Sequence, residues 1–358
     1  MNKFILGIFL IVVAVSCDKS LVPYDHEEGM EKGNTTLLKS VTLIDTFSTY
    51  LTARAEFVLF NELESQSTFD QEVVNDLLIY DTQSEITTTS SFAPTAFKNY
   101  NNLILVNTDN RVWMDYFSPG YYLDRYFHQL ELQGGSSAGI CQLGKEVNYE
   151  PQFYVENSGD VFGNSADYNT TAFYDVAGHQ EGSSQGYIDS NEIELKPFLE
   201  GLDKVLDEII PYTSPTEDLV ITCFMHGVYG FEAGTEDLFT TIWQKCWDNN
   251  IRINIISLVY GIYDMELAMH TGGFYHIAGG CFDLGTNQYQ PCDPNQRVST
   301  TGVLLQNLHD LLIGRYSSHV IDFNLSMPDV ATFQSRQIIF GGLEYNGFTY
   351  PLTVNKHQ

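Results

Sequence analysis

Four side chains of this 358-residue chain stand where short apolar runs end, and their types could do chemistry together. The segment "NLILVNTDNRV" closes on Asn107, Asp109 and Arg111, two residues apart, and "DLVITCFMHGVYG" closes on Met225-His226-Gly227. An amide, a carboxylate and an imidazole can ligate a transition metal, since imidazole suits zinc or nickel. A hard cation such as Mg or Ca demands several oxygens, and a guanidinium among them repels it. With Arg111 in the set and no second anionic ligand, the plainer reading is a neutral His226 hydrogen-bonded at a strand end and an Asp109 turn carboxylate paired with Arg111. Nothing marks a catalytic apparatus: there is no Gly-x-Ser-x-Gly, no His-Glu-x-x-His, no phosphate-binding glycine loop, and the nine histidines are scattered. The expectation is a protein that is not an enzyme and needs no cofactor, with Asn107, Asp109 and His226 as the alternative metal set.

The elements that must position these residues follow from hydrophobic periodicity. "NLILV" and "LVITCF" are apolar along nearly their whole length, as is "IRINIISLV" further on. Between them lie helical patterns: "YYLDRYFHQL", "ELKPFLEGLDKVLDEII" with Pro197 near its start, "EDLFTTIWQKCWDNN", and a short "MELAMHTGG" closed by glycines. Fully apolar strands alternating with amphipathic helices predict an α/β class: a doubly wound, mostly parallel sheet covered on both faces. In such folds ligands bind outside the carboxyl ends of the strands. The residues after "NLILV" and "LVITCF" are therefore the ones to inspect.

The segment "INIISLVYGIYDMELAMHTGGFYHIAGG", with Leu267-Ala268 and Thr271-Gly272-Gly273 before a strand through Tyr275, resembles the late half of a von Willebrand factor A domain. The order of elements before it also fits, and the resemblance spans residues 100–314. It implies a Rossmann-like sheet with a metal-ion-dependent adhesion site. That site is built from an Asp-x-Ser-x-Ser motif after the first strand, a middle-loop Thr, and an Asp after the fourth strand. In this chain Asn107, Asp109 and Arg111 occupy the motif positions, and His226-Gly227 stands for the last Asp-Gly. The middle-loop candidates are "QGYI", including Tyr187, with no Thr among them. The resemblance thus implies a degenerate site whose ligand surface is formed by Asn107, Asp109, Arg111, Tyr187 and His226. A second placement would start the domain at "LIDTFST", with Asp45, Phe47 and Thr49 at the motif spacing.

Outside this unit the chain is β-prone. Residues 36–98 hold "LLKSVTLID", "AEFVLF" and "NDLLIYD", although "STYLTARAEFVLFNELES" also reads as a helix on propensity. Residues 316–358 hold "HVIDFNL" and an Asn346-Gly347 turn between two β runs, which signals a hairpin. Neither segment can bury much alone, so the two are expected to pair as a β-sandwich-like domain with the α/β unit inserted between them. A last amphipathic helix is expected in "TGVLLQNLHDLLIG". The polar stretch 156–194 reads as a long solvated loop, and its neighbouring aromatics suit a recognition surface.

The N-terminus sets the compartment. "MNKFILGIFLIVVAVSCDKS" has one basic residue, an apolar run of about twelve and a small residue before a cysteine, too short for a mature span. Residues 1–16 read as a signal peptide. "AVSC" resembles a lipoprotein signal box, which implies lipidation of Cys17, with residues 17–35 as a flexible tether. A net charge of -29 argues against nucleic acid and anionic lipid as partners. Five further cysteines follow, of which Cys223 and Cys246 lie in apolar runs and read as buried hydrophobes. Cys281 and Cys292 share one loop, either as a disulfide or as two free thiols. The sequence reading is a lipid-anchored protein of the bacterial cell envelope, outer membrane or cell surface, that binds a protein or cell-surface ligand. The alternative is an assembly subunit of an envelope complex.

Overall fold

The computed structural model describes residues 35–46, 50–60, 76–79, 83–88, 93–94, 100–107, 137–144, 147–153, 161–163, 195–214, 217–225, 235–257, 261–277, 280–283, 288–291, 317–326, 338–345 and 348–355. The chain opens on five strands: β1 (Thr35–Thr46), β2 (Tyr50–Phe60), β3 (Asp76–Ile79), β4 (Gln83–Thr88) and β5 (Ala93–Pro94). The helical reading of residues 48–65 gives way to strand β2 across 50–60. Along it Arg54 is exposed, Ala55 buried, Glu56 half-buried and Phe57 buried, a period of two that only a strand presents. Pairing on both sides with neighbouring strands overrides the helix propensity of that segment.

The central part alternates as its periodicity requires. It comprises β6 (Tyr100–Asn107), β7 (Ser137–Leu143), β8 (Gln152–Phe153), α1 (Leu195–Ile209), β9 (Asp218–Met225), α2 (Thr235–Asp248), β10 (Ile251–Ser257), α3 (Ile262–His270) and β11 (Tyr275–Ile277). These six strands form one sheet in the order β11-β10-β9-β6-β7-β8. All neighbours are parallel except the edge strand β8, which runs antiparallel to β7. Mostly parallel strands with helical crossovers make this an α/β fold, and every described residue of β6, β9 and β10 is buried, so the sheet is covered on both faces.

One face packs on helices. Leu103, Leu105, Cys141, Ile221, Cys223, Ile253 and Ile255 meet Phe198, Leu202, Val205 and Leu206 of α1, Ile242 and Cys246 of α2, and Met265 and Ala268 of α3. Each such apolar side chain contributes about 2 kcal/mol of transfer free energy. Cys223 and Cys246 are buried free thiols, as is Cys141. Strand β7, "SAGICQL", is an addition to the sequence reading, which placed no strand there. Part of the polar stretch after residue 156 is also not a solvated loop. Val161 and Phe162 are buried, and Gly163 bridges Ala138 through paired backbone hydrogen bonds of 2.8 and 3.0 Å. Gly139 permits this approach, since a Cβ there would stand 2.5 Å from the Val161 carbonyl.

The chain then forms a hairpin, β12 (Gly280–Asp283) and β13 (Gln288–Pro291), within the segment read from sequence as a loop. Three strands close it: β14 (Ser317–Ser326), β15 (Ile338–Tyr345) and β16 (Phe348–Asn355). Tyr345 is level with Phe348, which leaves Asn346-Gly347 as the two-residue connection of this hairpin. The remaining sheets are built jointly from both ends of the chain. One runs β1-β2-β14-β4, with β5 also on β14, and the other runs β16-β15-β3. They approach one another where β1 passes β16 and β3 passes β4, and β16 also lies near α3. Asp45 of the second possible domain start lies on β1, which pairs antiparallel with β2 and not in the parallel sheet. The expected helix across "TGVLLQNLHDLLIG" and that across "YYLDRYFHQL" lie outside the described residues.

Candidate functional site at the strand ends

Chain order and strand order together locate the site. Counting from β6, the sheet reads 3-2-1-4-5-6, so successive crossovers leave β6 in opposite directions and the reversal falls between β6 and β9. In doubly wound sheets such a reversal is where a ligand crevice forms outside the carboxyl ends of the strands. Val106 is level with Phe224, so Asn107 ends β6 beside Met225, the last residue of β9. Ser257 ends β10 in register with Met225. Asn107, Met225 and Ser257 thus form the floor of the crevice, and His226 follows directly in sequence.

Asn107 is 2% exposed, so its side chain is buried at the end of β6. Asp109, Arg111, Tyr187, His226 and Cys17 lie outside the described residues. Cys281 sits on β12 level with Gln290, while Cys292 also lies outside the described residues. Among the described residues no group of three or more His, Cys, Asp or Glu side chains is placed to share a metal, and no helix is long and apolar enough to cross a membrane.

The structure adds side chains that the sequence reading did not single out. Asp264, in the first turn of α3, is 1% exposed, and burial pushes its carboxyl up to about 8 against the Ser257 hydrogen bond, which lowers it. Ser257 Oγ donates to Asp264 Oδ2 at 3.4 Å. The N–H of Gly261 donates to Tyr275 Oη at 2.8 Å, which ties the start of α3 to β11. The signal in the sequence was an acid three residues after Gly261 amid apolar neighbours, in "GIYDMEL".

The far end of α3 is stitched by Thr271-Gly272-Gly273. Thr271 Oγ1 accepts from Ile253 N at 2.9 Å and donates to Ala268 O at the same distance. Gly273 N donates to Ala268 O at 3.0 Å, and Asn254 Oδ1 accepts from Phe274 N at 3.1 Å. A Cβ on Gly273 would lie 1.9 Å from the Ile253 carbonyl oxygen, so only glycine lets this turn cross β10. These residues hold α3 in place and face away from the crevice in the chain.

Beside this stitch, α2 and α3 share an aromatic seam. The Trp243 and His270 rings stack at 3.8 Å, Phe239 lies 5.4 Å from Trp243, and Tyr263 stacks on Phe239 at 6.1 Å. Burial pulls His270 down to about 4 and pushes Glu266 up to about 7. Tyr263 is raised by burial first and then by Glu266 and Glu236. Trp247 Nε1 donates to the His270 carbonyl at 2.7 Å, and Lys245 bridges Asp203 and Asp207 of α1 at 2.7 and 2.6 Å. The helices that carry the crevice are therefore fastened to one another.

The class these elements define is an α/β protein with a mostly parallel sheet whose strand order reverses between β6 and β9. No family model matches the chain, and no curated protein matches it. Among solved structures it is similar to the crystal structure of the TFIIH p34 N-terminal domain, at 11% identity and a TM-score of 0.34, over 61% of this chain and 98% of that one. It is also similar to the open conformation of the pilus adhesin SpaC from Lactobacillus rhamnosus GG, at 6% identity and a TM-score of 0.38, over 90% of this chain and 47% of that one. The class rests on the strand order, not on either of these similarities.

Proposed function

We propose that this protein is an exported, lipid-anchored component of the bacterial cell envelope that binds a protein or cell-surface ligand through an A-like domain. The anchor is Cys17, placed by its signal-like leader. The binding face is the crevice above Asn107 and Met225, rimmed by Asp109, Arg111, Tyr187 and His226. The two jointly built antiparallel sheets form a sandwich-like second unit from which the α/β unit is presented. The observation that supports the reading is the strand-order reversal between β6 and β9, which sets the last residues of these two strands, Asn107 and Met225, side by side.

The chemistry there favours recognition without a metal. An amide stands at the first motif position, a guanidinium at the third and an imidazole at the fourth-strand position, which together supply one carboxylate, Asp109. Surface complementarity from the loops then does the binding. Two measurements test this. Mass spectrometry of the membrane-associated protein should return an N-terminal peptide that begins at acylated Cys17. Binding of the full chain to envelope fractions should fall in an Asp109→Ala/His226→Ala variant and be indifferent to EDTA. Binding unchanged in that variant refutes the crevice as the interface, and binding abolished by EDTA refutes the metal-free mechanism.

A further inference from the structure

Among the described residues, one carboxyl beside the strand ends faces no counter-charge. Asp264 is 1% exposed, and its Oδ1 is buried with no hydrogen-bond partner among the described residues. Its other oxygen accepts from the Ser257 hydroxyl, at 3.4 Å. The start of a helix ordinarily favours a carboxylate through its free N–H groups. Here the Gly261 N–H is taken instead by Tyr275 Oη, at 2.8 Å.

No cation faces Asp264 from the described elements packed against it. From β9 comes the Cys223 thiol, which burial pushes up and the Asp264 charge raises further. From β10 comes Ser257, while Arg252 on that strand pairs with Asp218 at 3.4 Å near its other end. From β11 come Tyr275 and, on the next residue, His276. From α2 come Glu236, near Tyr263, and Cys246, near Cys223, whereas Lys245 is turned to Asp203 and Asp207. Strand β16, "FTYPLTVN", carries no charged residue. On α3 itself are Glu266 and His270.

A neutral carboxylic acid suits these surroundings and a carboxylate does not, because an ionised group without a partner must reach water. The Ser257 bond ties the first turn of α3 to the end of β10, so among the described elements the movement that would admit water is a lifting of that turn. Ser257 is level with Met225, so that movement opens the crevice floor.

We propose that Asp264 is a proton-operated latch on the strand-end crevice: protonated, it lets the first turn of α3 close on β10, and ionised, it draws in water and releases that turn. The transition falls in the mildly alkaline range, where burial places this group. That the latch regulates binding rests on the crevice being the binding face. The latch itself does not, so it is read without ligand.

The full chain is examined by infrared spectroscopy and by amide exchange corrected for the intrinsic effect of pH, at about pH 6.5 and about pH 9. At the lower pH the wild type should show a protonated-carboxyl carbonyl band to which Asp264 and Glu266 both contribute, so Asp264→Asn and Glu266→Gln should each remove part of it. Exchange across residues 257–264 should accelerate by about tenfold or more at the higher pH in the wild type and not in Asp264→Asn. Ser257→Ala should move the midpoint upward, because the serine hydrogen bond holds the carboxyl down. A band identical in wild type and Asp264→Asn overturns the proposal, as does equal exchange in the two. If Asp264→Asn does not fold, a midpoint in Ser257→Ala that stays or falls overturns it. A working latch with binding indifferent to crevice substitutions would refute the binding face alone.

Discussion

Gly273→Ala is the substitution for which the structure allows the cost to be worked through. The added Cβ would stand 1.9 Å from the Ile253 carbonyl oxygen and 2.5 Å from its carbon. Relief requires the turn to move away by roughly an ångström, since carbon and oxygen tolerate no approach much under their van der Waals contact. The bonds drawn tight across that gap are Ile253 N to Thr271 Oγ1 at 2.9 Å, Phe274 N to Asn254 Oδ1 at 3.1 Å, and Ile255 N to Phe274 O at 2.8 Å. Losing two of the three costs about 2 kcal/mol, and overpacking adds about 1–3 kcal/mol, so a loss of about 3–5 kcal/mol is expected. Urea unfolding followed by tryptophan fluorescence measures it, with Gly272→Ala as comparison. Gly272 has φ 77°, and a side chain there should cost only about 1–2 kcal/mol. A Gly273→Ala loss under about 1 kcal/mol, or one no larger than that of Gly272→Ala, would refute the close-approach reasoning.

Four further outcomes are expected. Burial raises Asp264 to about 8 and Glu266 to about 7, so the native state keeps protons that the unfolded chain has lost and stability falls as pH rises from the unfolded carboxyl range through those values. His270, lowered to about 4, acts oppositely and adds stability as pH rises to about 6.5. Above about 6.5 only losses remain, at about 1.4 kcal/mol per pH unit from Asp264, a slope that urea titrations should find absent in Asp264→Asn. Arg54 and Asp322 form a two-pronged bridge across β2 and β14 at 2.6 and 2.7 Å, but Arg54 is 55% exposed. A double-mutant cycle should therefore return only about 0.5 kcal/mol, and less in high salt. Cys141, Cys223 and Cys246 are buried, and burial pushes each thiol up, so a thiol reagent should find none of them in the native protein. In denaturant these three should react, joined by two more only if Cys281 and Cys292 are unpaired. Calorimetric titration with Mg, Mn, Ca and Zn should show no binding, and heat that disappears in both Asp109→Ala and His226→Ala would restore a metal to the crevice.

What was legible in the sequence follows from how strongly each element advertises its environment. The strands β6, β9 and β10 are apolar on both faces because both faces are buried, and helix α1 shows its stripe because one face meets the sheet. Strand β7 was not legible. Gly139 has no side chain because the Val161 carbonyl lies against it, and that demand comes from tertiary contact. The same holds for Val161 and Phe162, two apolar residues within a polar run. Arg54 and Asp322, 268 residues apart, become opposite neighbours only through register. At the site, the ends of β6 and β9 were marked by the abrupt stop of apolar runs. Asp264 was not, because an acid in the first turn of a helix ordinarily reads as a cap facing solvent.

Within "LAMHTGGFYHI", the most specific piece of the resemblance, Thr271-Gly272-Gly273 has a physical explanation that involves no ligand. The threonine hydroxyl serves both α3 and β10, and the last glycine lets the turn cross that strand. Such a device preserves architecture whatever the site above it does, which is why fold and function are separable here. At the strand ends an amide closes β6, and beside the end of β10 stands a buried acid of α3, Asp264. Under the proposed function the candidates Asp109, Arg111 and His226 mix a carboxylate, a guanidinium and an imidazole, a set of residue types poorly suited to hold a hard cation. It is suited to meet a polar ligand surface, and the acid beside the end of β10 gives pH a means of loosening the crevice floor.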